Sequence, residues 1–179
     1  MDNYFKEYKK AKVLLLDLIE KLEEEKRLDN NESIENITTF NLNNITSKDY
    51  ICNLLNITDD VLTKEQLLKI KKKILNEKQH NLNYYEEYLK ILLGFIYMIE
   101  DIYKWKLTPD VRQQVGLELG TDRKTDPKAT VYAYFNHGEE LGDKIWKILG
   151  FSLFVISEES LNKKREEILN ELYQYKMKQ

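Results

Sequence analysis

The stretch HGEELGDKIWKILGF, from His137 to Phe151, contains the acidic residues whose spacing comes closest to that of a metal site. Glu140 and Asp143 form an E-x-x-D pair, with Glu139 beside them. Carboxylates are the ligands that Mg²⁺ prefers, and bound Mg²⁺ polarises phosphate oxygens for hydrolysis. A metal site needs its ligands to converge, and their convergence depends on the helix that carries them.

The helix predicted around these acids turns them in different directions. At about 100° per residue, its apolar residues form one stripe that includes Leu141. Glu139 and Asp143 lie nearly opposite Leu141, whereas Glu140 lies on a flank with Lys144 one turn later. The spacing therefore favours solvated acids, one of them beside a lysine, over a metal centre.

EELGD followed by an apolar helix resembles the second acidic motif of the all-α nucleotide pyrophosphohydrolases, the MazG-like and dimeric dUTPase families. The resemblance implies that Glu140 and Asp143 hold Mg²⁺ and that a nucleoside triphosphate is hydrolysed. It spans about five residues, and the E-x-x-E pair that those families carry on a preceding helix is not found at suitable spacing. A Mg²⁺-dependent hydrolase is therefore an alternative hypothesis, and no cofactor is expected outside it.

Basic residues and tyrosines form the second group of candidate site residues. The residues predicted to bind a partner are Arg123, Lys124, Lys128, Lys163, Lys164, Arg165, Tyr173 and Tyr175. Tyrosine and arginine are favoured in protein interfaces, which indicates a protein or nucleoprotein as the partner. Lysines beside tyrosines are also suited to following a nucleic-acid backbone and stacking bases, so a helical nucleic-acid binder is a further alternative.

Gly138 and Gly142 form a G-x-x-x-G pair inside the same predicted helix as the acids. Glycine in a helix interior costs about 1 kcal/mol relative to alanine, so a packing reason is expected. We predict that a neighbouring helix or a partner approaches closely at these two glycines.

The remaining reactive side chains do not form a complete catalytic set. His80 and His137 are the only histidines, and neither is near a serine or cysteine in a recognisable nucleophile turn. Cys52 is the only cysteine, which excludes an internal disulfide and disfavours a zinc site. The leading interpretation is therefore a non-enzymatic protein that acts by binding.

The elements that must position these residues are predicted to be helices. Apolar residues at three- and four-residue steps predict the main helices over 3–27, 63–107, 127–149 and 157–177, with shorter helices at 47–56 and after Thr108-Pro109. A capping box of Thr63 and Gln66 begins the longest, whose polar lapse at 78–81 indicates a kink or a break. Residues 29–47 are predicted to be a loop. The expected fold is an all-α bundle, a single domain over residues 1–179.

Composition limits the class of protein. Apolar residues make up 42% and charged residues 33% of the 179 residues, which is typical of a soluble helical protein. The net charge of −3 gives no general argument for nucleic-acid binding. The apolar runs are shorter than the roughly 18 residues that span a bilayer, and the start of the chain lacks the pattern of a signal peptide. A cytoplasmic location is therefore expected.

Together these observations predict a small accessory or inhibitory protein that binds a larger protein or nucleoprotein. The bias towards Asn, Lys, Ile and Tyr indicates an AT-rich bacterial or phage genome. The sequence does not identify the partner or the oligomeric state.

Overall fold

The computed structural model describes residues 2–106, 140–151 and 158–179, and these are mainly helical. Their α-helices are α1 (Asp2–Asp29), α2 (Lys48–Leu55), α3 (Lys64–Leu75), α4 (Tyr84–Lys106), α5 (Glu140–Leu149) and α6 (Glu158–Met177). Two short 3-10 helices, Ile34–Asn36 and Leu42–Asn44, and two strands, β1 (Thr39–Asn41) and β2 (Val61–Thr63), complete the described elements. The all-α fold class is confirmed.

The chain divides into two compact units, Met1–Gly94 and Phe95–Gln179. The prediction of one domain over residues 1–179 stays a prediction. Within the described ranges, none of the helices combines the length and the apolar character needed to cross a membrane. The helices predicted after Thr108-Pro109 and over 127–139 lie outside the described residues.

Helix α1 forms the centre of the first unit. Its buried apolar residues recur at the three- and four-residue steps from which the helix was predicted, and they include Tyr8, Ala11, Leu15, Leu18, Ile19 and Leu22. Leu16 is buried as well, and α1 packs against both α3 and β1. Two charged residues, Lys12 and Glu23, are also buried on α1, although a lysine or a glutamate rarely is without a partner.

The segment predicted as a loop, 29–47, contains β1, so this prediction was wrong at residues 39–41. β1 pairs antiparallel with β2, and the central pair, Phe40 and Leu62, is buried. The carboxylate of Glu23 accepts hydrogen bonds from the backbone N–H of Asn41 at 3.2 Å and from Nδ2 of Asn44 at 3.2 Å. A strand of three residues is too short to show an alternating pattern, and the contacts that hold it come from α1.

The predicted helix over 63–107 is broken into α3 and α4. It begins as expected, because Thr63 and Gln66 form the reciprocal capping box. α3 then ends at Leu75, whose carbonyl accepts a 2.9 Å hydrogen bond from Nζ of Lys9. Leu82 is 52% exposed, because it lies in the break between the two helices. The polar lapse at 78–81 had therefore indicated the break between α3 and α4 correctly.

Helix α2 starts after Ser47, as predicted, but the serine side chain makes no capping hydrogen bond. The helix ends at Leu55, and its C-cap residue Asn56 adopts a left-handed conformation with φ of 54°. α2 packs closely against α4 at Gly94, where an added Cβ would lie 3.2 Å from Cδ1 of both Ile51 and Leu54. A larger residue at this point would force these side chains to shift by a few tenths of an ångström.

The second unit buries apolar residues from the end of α4, from α5 and from α6. These are Phe95, Ile96, Met98, Ile99, Ile145, Trp146, Leu149, Leu161, Ile168 and Leu172. The run from Ile91 to Ile99 is buried except at the half-buried Tyr97. Trp146 is fully buried and contacts the ring of Phe151 at a centroid distance of 6.4 Å.

Candidate functional site

The last helix, α6, has two apolar faces, and only one of them is covered. Leu161, Ile168 and Leu172 are buried in the second unit. Leu169, Tyr173 and Met177 are 43%, 61% and 69% exposed. These three residues are spaced by four, so they lie on the same side of the helix along two successive turns. We call them the α6 stripe.

The predicted basic residues of α6 lie in different surroundings. Arg165 donates a 2.6 Å hydrogen bond to Oε1 of Glu100 and a 2.9 Å hydrogen bond to Oδ1 of Asn162. Lys164 pairs with Glu167 at 3.1 Å. Lys163 is exposed and forms no ion pair with any residue that the structure describes. Of the three, Lys163 is the cation most accessible to a partner.

The predicted tyrosines of α6 also differ in exposure. Tyr173 belongs to the α6 stripe, whereas Tyr175 is half-buried. The other predicted partner-binding residues, Arg123, Lys124 and Lys128, lie outside the described residues. Their role in binding therefore stays a prediction.

The acidic pair at the start of α5 is engaged with a lysine. Glu140 is exposed and forms an ion pair of 2.8 Å with Lys144, as the helical spacing indicated. The hydrogen bond and the charge of Lys144 lower the pKa of the Glu140 carboxyl. Asp143 is half-buried. Among the residues in the described ranges, no group of three or more acids, histidines or cysteines is placed to hold a metal ion.

Gly142 is buried on α5, which is compatible with a packing role. Gly138 lies outside the described residues, so a close approach at the G-x-x-x-G pair stays a prediction. Among the described residues, Gly94 lies at a close approach of two helices.

A cleft in the first unit contains functional candidates that were not predicted from the sequence. It has a volume of about 500 Å³ and is lined by Lys12, Leu55, Asn56, Ile70, Lys73, Ile74, Asn76, Glu77, Lys78 and His80. We call it the Lys12 cleft. Its walls come from α1, the end of α2, α3 and the segment after α3. The break after Leu75 therefore creates one side of the cleft.

Lys12 is the buried cation of this cleft, since only 4% of the residue is exposed. Its Nζ donates a 2.7 Å hydrogen bond to the hydroxyl of Tyr8 and lies 3.9 Å from Oε2 of Glu77. Burial lowers the pKa of the Lys12 ammonium, and the nearby charges of Glu77 and Glu87 oppose that shift. The same burial raises the pKa of the Tyr8 hydroxyl.

The position of Lys12 in the sequence contained an indication of this site. Lys12 is four residues after Tyr8 and three before Leu15, so it lies on the apolar side of α1. The α6 stripe was visible in the same way, as the four-residue spacing of Leu169, Tyr173 and Met177.

Comparison of the chain with protein-family models, with curated proteins and with solved structures finds no match.

Proposed function

We propose that this protein acts by binding a larger protein or nucleoprotein, and that the α6 stripe is the contact surface. The observation that carries the proposal is the exposure of Leu169, Tyr173 and Met177 along one side of α6. Exposed apolar side chains are common singly, but an aligned series on one helix is typical of a binding face. The buried residues on the other face of α6 keep the helix folded before it meets the partner.

The chemistry of the α6 stripe indicates what the partner presents. A helix with apolar anchors one turn apart binds by laying those anchors into a hydrophobic groove. Glu166 and Lys176 flank the stripe, and both are exposed. Tyr173 supplies a large ring with a polar tip, which suits it to the centre of such an interface. The partner surface is therefore an apolar groove with polar edges.

The proposal includes no catalytic step. We place the interaction in the cytoplasm, because a chain with the single cysteine Cys52 suits a reducing compartment. Burial raises the pKa of the Cys52 thiol, which lowers its reactivity at neutral pH.

The test compares the proteins retained by the wild-type chain and by two variants in extracts of its native host. The first variant, Leu169→Gln with Tyr173→Gln and Met177→Gln, removes the α6 stripe. The matched control, Glu167→Gln with Glu171→Gln, changes exposed residues on the far side of α6. We expect the wild type and the control to retain the same partner, and the stripe variant to retain at least about tenfold less of it.

Two other outcomes would contradict the proposal. Equal retention by all three chains would place the contact surface elsewhere. Retention that falls steeply with salt and is lost after nuclease treatment would indicate a nucleic-acid binder instead. Circular dichroism of each variant establishes that α6 is still folded when binding is measured.

A further inference from the structure

We propose that the Lys12 cleft binds a small organic phosphate monoester. Three lysines, Lys12, Lys73 and Lys78, and one carboxylate, Glu77, line a concave site of about 500 Å³. Ligand sites for small molecules have volumes of roughly 300–1,000 Å³, so the cleft has the size of a metabolite site rather than that of a site for a bare ion.

Lys12 supplies the anchor for the phosphate. An ammonium group has three N–H donors. Among the described residues, Lys12 donates one hydrogen bond, to the Tyr8 hydroxyl. The carboxylate of Glu77 is at 3.9 Å, beyond hydrogen-bond distance. Donors on a buried ammonium are costly to leave unused, and phosphate oxygens would accept from them.

Glu77 acts as a weak counter-ion that a bound phosphate would replace. One carboxylate faces three lysines in the cleft, which leaves an excess of positive charge at its lining. A phosphate monoester carries between one and two negative charges near neutral pH and matches this excess better than a single carboxylate does. Because Glu77 has the same sign as the ligand, it must weaken binding at the same time as it stabilises the empty cleft.

The apolar lining indicates that the phosphate carries an organic group. Leu55, Ile70 and Ile74 contribute side chains to the cleft beside the lysines. Asn56 and Asn76 belong to the same lining and add polar character to it. Inorganic phosphate would satisfy the lysines but would leave this apolar wall in contact with water.

The experiment measures the affinity of the full chain for three probes by titration calorimetry at about pH 8, where a phosphate monoester is a dianion. Phenyl phosphate is the probe that matches the proposal. Phenyl sulfate has a similar shape with one charge less, and inorganic phosphate lacks the organic group. We expect phenyl phosphate to bind at least about tenfold more tightly than either of the other two.

Variants of the cleft should change this affinity in opposite directions. Glu77→Gln should tighten phenyl phosphate binding by about fivefold, because it removes a like charge that lies 3.9 Å from the Lys12 ammonium proposed to hold the phosphate. Lys73→Gln should weaken it by a similar factor, and Lys12→Met should abolish it. The matched control is Lys69→Gln, an exposed lysine of α3 outside the cleft, which should leave the affinity unchanged.

The proposal is overturned if phenyl phosphate does not bind at millimolar concentration. It is also overturned if Lys69→Gln weakens binding as much as Lys73→Gln does, since that would indicate general attraction to a basic surface. Tighter binding of phenyl sulfate than of phenyl phosphate would contradict the choice of a dianion. The exposed variants at Lys73 and Lys69 keep these comparisons valid whatever happens to the folding of Lys12→Met.

Discussion

The hydroxyl of Tyr8 accepts a 2.7 Å hydrogen bond from Nζ of Lys12, one turn later on α1, and both residues are buried. The ammonium also lies 4.7 Å from the centre of the Tyr8 ring, close enough for a cation–π contact. One neutral hydrogen bond and a carboxylate at 3.9 Å compensate the burial of this charge incompletely. Lys12 therefore costs folding stability at neutral pH.

Lys12→Met should raise the free energy of unfolding by about 1 kcal/mol at pH 7, because it removes a poorly compensated buried charge and keeps most of the volume. Burial lowers the pKa of Lys12 in the folded state below its unfolded pKa of about 10.4. At a pH between these two pKa values the unfolded chain binds more protons than the folded chain does, so stability rises with pH in this range. The cost of Lys12 is thus present at pH 7 and disappears as the pH rises through about 10.4.

Urea unfolding of wild type and Lys12→Met at neutral and alkaline pH measures this difference. We expect the advantage of the variant to shrink as the pH approaches the upper value. A variant less stable than wild type at pH 7, or a difference that does not depend on pH, would show that Lys12 is a structural residue. Lys69→Met, at an exposed position of α3, serves as the control.

Glu23→Ala should lower the free energy of unfolding by about 2–4 kcal/mol, because it leaves the N–H of Asn41 and the amide of Asn44 without their acceptor. The control Glu25→Ala breaks a partly exposed pair with Lys21 on the same helix and should cost less than about 1 kcal/mol. Chemical denaturation measures both changes. Equal effects would mean that Glu23 does not hold the segment from β1 to the second 3-10 helix.

The two apolar faces of α6 should respond differently to truncation. Leu172→Ala should cost about 2–4 kcal/mol, because this side chain is packed in the second unit. Leu169→Ala should cost less than about 1 kcal/mol, because the side chain is largely in water. Thermal unfolding of the two variants provides the comparison. Similar losses would mean that Leu169 is needed for folding, and the α6 stripe would then lose one of its members.

Magnesium should not stabilise the chain through the acidic pair. Glu140 already pairs with Lys144 at 2.8 Å, and a ligand that binds the folded state alone raises the melting temperature. We expect millimolar Mg²⁺ or Mn²⁺ to leave the melting temperature unchanged, both in wild type and in Glu140→Gln. A rise in wild type that is absent from both Glu140→Gln and Asp143→Asn, together with pyrophosphate release from a nucleoside triphosphate, would support the hydrolase alternative.

The helices could be predicted from the sequence where their apolar residues repeat over several turns. Helix α1 was predicted over 3–27 and spans Asp2–Asp29, and the capping box at Thr63 was also predicted from local pattern. The strand at Thr39–Asn41 was missed because its stability comes from Phe40 packing against Leu62 and from Glu23 on another element. Such contacts depend on residues distant in sequence, and no periodicity reveals them.

The candidate sites were predictable to a smaller extent. Tyr173 and Lys163 were selected on residue type, and both are exposed on α6. The same reasoning grouped Arg165 with them, although its guanidinium is engaged with Glu100. The Lys12 cleft was missed because its lining joins residues of α1 to residues around the break after α3. Where a helix breaks, side chains distant in sequence come together, and only the fold determines which ones.

Photo-crosslinking in cells of the native host addresses the α6 stripe itself. A benzophenone amino acid is placed at Tyr173 in one chain and at Glu171, an exposed position on the far side of α6, in a matched chain. We expect a single protein adduct at position 173, absent at position 171 and lost when Leu169 and Met177 are changed to Gln. Adducts of equal yield at both positions, or none at position 173, would contradict binding through the α6 stripe.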